Sequence, residues 1–141
     1  MTTIRVAHPG ELEAVLALRE RIFVDEQGVA REDDVDGRDE EATHLVALAG
    51  ERVVATCRLL CEGDVVKLGR MAVARPARGT GLGTELLREA ERWARAQGAR
   101  RVVLAAQLGA RGFYDRAGYA AHGEVFLDAG IEHLRMEKAV A

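Results

Sequence analysis

Aromatic residues are scarce in this chain of 141 residues: three Phe, two Tyr and one Trp. So few rings offer little for base stacking, and with a net charge of −3 the sequence argues against a nucleic-acid partner. Long apolar runs are missing. The longest are a handful of residues, far short of the ~20 a membrane helix needs, so no membrane association is expected. The start, Met1-Thr2-Thr3-Ile4-Arg5, has no apolar signal core. Cysteine is nearly absent. Cys57 and Cys61 lie four apart, and on a strand that is ~13 Å, beyond the ~7 Å a disulfide tolerates. Both read as free thiols packed on one strand face in a reducing cytoplasm.

What remains is ordinary globular composition, 48% hydrophobic and 30% charged, which excludes disorder, collagen-like repeats and a disulfide scaffold. The length fits one domain spanning 1–141, by the usual ~100–200 residues per domain. Charge is uneven. Residues 25–41 carry nine acids against two bases, a balance of −7. Residues 67–111 carry ten bases against three acids, a balance of +7. An acidic stretch can attract a cation and a basic one a polyanion. Asp33, Asp34 and Asp36 lack the Gly and terminal Glu of a calcium loop, so no metal site is expected.

Periodicity and turn signals predict β-α-(loop)-β-β-β-α-β-α-β-β, an α+β chain with a central mixed sheet flanked by helices. Thr3–Ala7 reads as a strand and 11–23 as an amphipathic helix. The acidic stretch 25–41 reads as a loop or short irregular helix. His44–Ala49, Arg52–Cys61 and Val65–Val73 form a meander. A long helix begins near Leu82 and stops at Gly98. Arg101–Ala106 is a strand, Gln107–Ala117 a short helix, and strands near Tyr119–Phe126 and Ile131–Lys138 close the fold.

The most informative segment is Arg78-Gly79-Thr80-Gly81-Leu82-Gly83-Thr84, between a strand and the start of the long helix. Glycines let backbone approach a ligand, and a helix start offers unpaired N–H groups and a positive dipole end. Together these suit a phosphate. A Walker loop would need a lysine that is missing here, and a dinucleotide fingerprint fails at Thr84.

The spacing Arg78, Gly81, Gly83, after a strand ending Met71-Ala72-Val73, resembles the acyl-CoA loop of the GNAT superfamily of N-acetyltransferases. A second block matches downstream: Gln107, Ala110, Phe113-Tyr114 and Gly118-Tyr119. A third, Arg21–Gln27 with Asp33, Asp34, Asp36 and His44, and Gly130–His133 with Met136, is similar to the ElaA-like branch. The resemblance spans nearly the whole chain. It implies the GNAT acyl-CoA N-acyltransferase fold, acetyl-CoA as acyl-donor cosubstrate, and a small amine or peptide as acceptor. It further implies that backbone amides of Arg78, Gly79, Thr80, Gly81, Leu82, Gly83 and Thr84 hold the CoA pyrophosphate. Met71, Ala72 and Val73 would pair with the pantetheine arm as an added strand, with an N–H there for the oxyanion. Gln107 stands where relatives usually carry Asn, in contact with the pantetheine or bracing the split strands. Tyr114 would protonate the leaving thiolate. Arg78, Arg111 and Arg75 are nearest to meet the phosphates. For the base that takes a proton from the amine, Glu26, Asp36, His44 and His133 are the candidates, led by Glu26. Arg70, inside an apolar strand, either pairs with a buried acid or lines the cleft. Two other readings stay open: a non-catalytic acyl-CoA-binding or regulatory module, and a phosphate site for another nucleotide. The exposed hairpin edges leave room for a homodimer.

Overall fold

In the computed structural model, which describes residues 2–141, the alternating Val, Leu and Thr segments assemble into a seven-stranded sheet. The strands are β1 (Thr2–Val6), β2 (Thr43–Ala49), β3 (Arg52–Glu62), β4 (Val65–Val73), β5 (Arg101–Gln107), β6 (Ala120–Asp128) and β7 (Ile131–Ala139). Their order is β1-β2-β3-β4-β5-β7-β6. All neighbours are antiparallel except β4 and β5. The helices are α1 (Leu12–Arg19), α2 (Arg31–Asp34), α3 (Leu82–Ala96) and α4 (Arg111–Arg116). This is the mixed sheet with flanking helices that the sequence predicts.

A parallel pair needs a crossover, and α3 is that crossover. Its buried residues Leu82, Leu86, Leu87, Ala90 and Ala94 recur at helical spacing and pack on the sheet, while the opposite face is charged. Gly98, with φ +84°, ends it in a conformation that favours glycine.

β4 and β5 pair only from Val65 to Leu68 and from Arg101 to Leu104. Beyond those four rungs the strands part, and the sheet opens into a fork. A bulge in β4 marks the place. Thr56 faces Ala72 and Arg58 faces Gly69, so Arg70 and Met71 together oppose Cys57. Arg70 adopts φ +51°, a left-handed conformation that costs a non-glycine residue about 1–2 kcal/mol. Its guanidinium offsets that cost by donating to the carbonyls of Asp34 (3.1 Å) and Asp33 (3.2 Å).

The first helix is shorter than the predicted 11–23. α1 ends at Arg19, and the chain widens into a π-helix over Glu20–Glu26, with Gln27 N–H reaching five residues back to the Ile22 carbonyl. The acidic stretch holds one turn of helix, α2. Gln107, expected in the short helix, is instead the last residue of β5; a 3₁₀ turn over Leu108–Ala110 follows it. Both cysteines are free. Cys57 is buried and burial pushes its thiol up to about 12, whereas Cys61 is exposed, so the expected packing role holds for Cys57 alone. No helix among the described residues is long and apolar enough to cross a membrane.

Candidate active site

The fork holds a cleft of about 480 Å³. Met71 from β4 lines one wall and Ala105–Gln107 from β5 another, with Tyr114 from α4 between them. Tyr114 is 8% exposed and stands edge-on to Phe113 and Tyr119, with ring centroids 5.0 and 5.8 Å away. Its hydroxyl donates to Met71 Sδ at 3.7 Å. Burial pushes the phenol well above its ordinary pKa, so the hydroxyl keeps its proton at neutral pH. Gln107 Nε2 donates to Gln27 Oε1 at 2.8 Å, bracing β5 against the segment after the π-helix.

The glycine loop lies at the N-terminus of α3. Gly79 (φ +76°) and Gly81 (φ +87°) are left-handed, with open space where a Cβ would stand. Among the described residues, the amides of Gly79 through Thr84 donate to no backbone carbonyl, so six N–H groups are free at a positive dipole end. The Arg78 amide is not one of them, because it bonds the Arg75 carbonyl at 3.2 Å. Thr80 Oγ1 donates to the Ala77 carbonyl at 2.6 Å and holds the turn. Gly83 differs from its neighbours. Its φ is not left-handed, and a Cβ there would sit 3.5 Å from Phe113, an ordinary contact. Gly81→Ala is therefore expected to destabilise the protein by about 1–2 kcal/mol. Gly83→Ala, inside the helix, should be neutral or stabilising by up to about 1 kcal/mol. Urea unfolding of the two variants checks the contrast.

The four base candidates do not come together. Phe23 and Gln27 turn toward the cleft, but Glu26 turns aside to the glycine loop. Arg78 Nη2 donates to its carboxylate at 2.8 Å and Arg75 lies 3.7 Å away, and the Arg78 hydrogen bond holds Glu26 below its ordinary pKa. Arg78 also donates from Nε to the Val73 carbonyl at 2.9 Å. His44 does not line the cleft, and its Nε2 lies 2.9 Å from the Asp39 carbonyl. Asp36 and His133 do line it. Asp36 accepts two bonds from Arg58, at 2.8 and 2.9 Å, and these hold its carboxyl far below the usual range.

Asp36 belongs to a network that the charge pattern conceals. Arg19 is fully buried and bonds Asp39 at 2.6 Å, Asp34 Oδ1 at 3.2 Å and the Asp34 carbonyl at 2.7 Å. Arg58 reaches Asp39 at 3.2 Å as well. Arg70 stands 3.4 Å from both Asp34 and Asp36, so it pairs with a buried acid and also lines the cleft. Three arginines meet three aspartates. These three aspartates are thus neutralised and clamp the acidic stretch to the sheet, while Glu32, Asp33, Glu40 and Glu41 stay on the surface.

Arg19 and Arg58 carry no sequence signal beyond being arginines inside apolar segments. Nor do Arg88 and Arg116, which with Thr84 and Phe113 line a second cavity of about 260 Å³ beside the glycine loop. Arg111, expected near phosphate, pairs with Asp115 at 3.3 Å. His122 and Lys138 pair with Glu137 and Glu91, and no cluster among the described residues could hold a metal ion.

Comparison with known proteins gives one answer. Residues 18–140 match the model of the acetyltransferase (GNAT) domain. The chain is 34% identical over 139 residues to YjcF of Bacillus subtilis, described as an N-acetyltransferase, covering 98% of this chain and 99% of that one. It is 31% identical over 136 residues to ElaA of Escherichia coli, covering 92% and 88%. An acyl-CoA N-acyltransferase from Pseudomonas aeruginosa superposes with a TM-score of 0.84 at 33% identity, over 99% of both chains.

Proposed function

We propose that this chain, which belongs to the GNAT acetyltransferase family, transfers an acetyl group from acetyl-CoA to a primary amine by direct attack in a ternary complex. The observation that carries this reading is the row of six free amides from Gly79 to Thr84, next to a forked sheet whose cleft holds a buried phenol. Such a row suits a diphosphate. Arg88 and Arg116, in the cavity beside it, make no ion pair among the described residues and suit a further phosphate. From the loop, the pantetheine arm would run along Met71, Ala72 and Val73 as an added strand, past Gln107, to bring the thioester toward Tyr114. A main-chain N–H of β4 would stabilise the oxyanion. Tyr114 would protonate the departing thiolate, and its upward-shifted pKa keeps that proton in place until it is needed. The pairing of Glu26 with Arg78 favours a part in holding the loop over a part as base. The two free thiols fit a reducing compartment such as the cytoplasm.

Acetyl-CoA at a hundred times its dissociation constant is expected to stabilise the fold by about 2.7 kcal/mol, visible as a rise of several degrees in Tm. No rise at millimolar acetyl-CoA would sink the proposal. A rise without thiol release across polyamines, aminoglycosides, amino acids and peptides would make the chain an acyl-CoA-binding module instead.

A further inference from the structure

An acyl-transfer site needs a group that relieves the incoming ammonium of a proton, and resting on the acyl-transfer reading we infer that His133 Nε2 is that group. His133 lies on β7 directly across from Gln107 on β5, and its side chain lines the cleft. The residue is 8% exposed. Its Nδ1 lies 2.7 Å from the Ile131 carbonyl, which can only accept, so Nδ1 carries the hydrogen. In the neutral ring, Nε2 is then a bare lone pair. It makes no hydrogen bond among the described residues, and it is not sealed from solvent. Phe126 stacks on the ring at 5.9 Å and 26°, fixing its plane.

The rivals are engaged or unsuited. Glu26 is held by Arg78, Asp36 by Arg58, and His44 lies away from the cleft. Of the charged residues lining the same cleft, Asp128 and Arg135 come from β6 and β7 like His133, while Asp33, Asp34, Asp36, Arg38, Arg58, Lys67 and Arg70 come from the acidic stretch, β3 and β4. Asp33 and Asp128 are exposed to bulk water rather than buried in the cleft wall.

The step balances. The ammonium gives one proton to Nε2, forming imidazolium. The freed nitrogen pair attacks the thioester carbonyl and a C–N bond forms. The C–S bond then breaks with its electrons going to sulfur, and Tyr114 protonates the sulfur. The second nitrogen proton returns to the phenolate through cleft water, and the imidazolium releases its proton to solvent. An amide, a thiol and one proton result.

The test uses thiol release from acetyl-CoA with two kinds of acceptor. n-Butylamine, putrescine and lysine are mostly ammonium at neutral pH, whereas hydroxylamine is mostly free base and needs no deprotonation. His133→Gln is expected to cut turnover of the alkylamines roughly a hundredfold, to leave hydroxylamine turnover within a few-fold, and to keep the acetyl-CoA-induced rise in Tm. Added imidazole should restore part of the alkylamine rate to His133→Ala. Equal losses with both kinds of acceptor, no loss, or no thiol release by the unaltered protein from any amine would overturn the role of His133 while the rise in Tm upholds the donor site. Absence of that rise would overturn the donor site first and the inference with it. Independently of any variant, ¹⁵N NMR should find the ring hydrogen on Nδ1; finding it on Nε2 overturns the inference.

Discussion

If the proposed acetyl transfer holds, Tyr114→Phe is expected to lower turnover by roughly a hundredfold or more and to leave acetyl-CoA affinity nearly unchanged. The variant removes one oxygen from a ring held by its packing. Phe113 and Tyr119 keep their edge-on contacts, and only the 3.7 Å bond to Met71 sulfur is lost. A bond to a thioether is weak, so stability should hardly change. Steady-state kinetics with acetyl-CoA varied separates the two roles. A fall in kcat with steady KM marks a proton donor to the departing thiolate. Unchanged kcat removes Tyr114 from the chemistry.

Arg19→Met is expected to destabilise the fold by about 3–5 kcal/mol, because Asp34, Asp36 and Asp39 would then face only Arg58 and Arg70, one buried negative charge in excess. For a chain of this size that lowers Tm by roughly 10–17 °C. Calorimetry checks it, and a loss under about 1 kcal/mol would mean that water reaches the network freely. Acid attacks the same place. The hydrogen bonds of Arg58 hold Asp36 below its ordinary value; at Asp39 burial pushes the other way, but Arg19 and Arg58 outweigh it. Groups with depressed folded-state pKa contribute in full above their unfolded value of ~3.9, and the contribution drains away as pH falls below it. The variant should therefore lose less stability than the parent between pH 5 and 2.

Much of this was readable from the chain itself. β4 falls where the alternation between Gly63-Asp64 and Arg75-Pro76 puts it, and α3 where leucines and alanines repeat above Gly98. The π-helix was not readable, since inserting one residue per turn scarcely disturbs a short apolar rhythm. Neither was the arginine–aspartate network, whose partners lie 15 to 36 residues apart and meet only after the sheet forms. The site divides in the same way. The glycine loop announces itself by local composition. Tyr114 meeting Met71 across 43 residues, and Glu26 meeting Arg78 across 52, depend on the fork, and no spacing along the chain encodes a fork. For His133 the sequence offered a candidate among four; the deciding bond to Ile131 is a matter of ring orientation.

The clamped acidic stretch also bears on how solutes arrive. Arg19, Arg58, Arg70 and Arg78, all from outside residues 25–41, answer four of its seven excess negative charges at close range. Opposite charges so near one another cancel beyond a Debye length, about 8 Å in physiological saline. A polyamine drifting past therefore feels the three negative charges left over rather than all seven, and that weaker pull fades further as ionic strength rises.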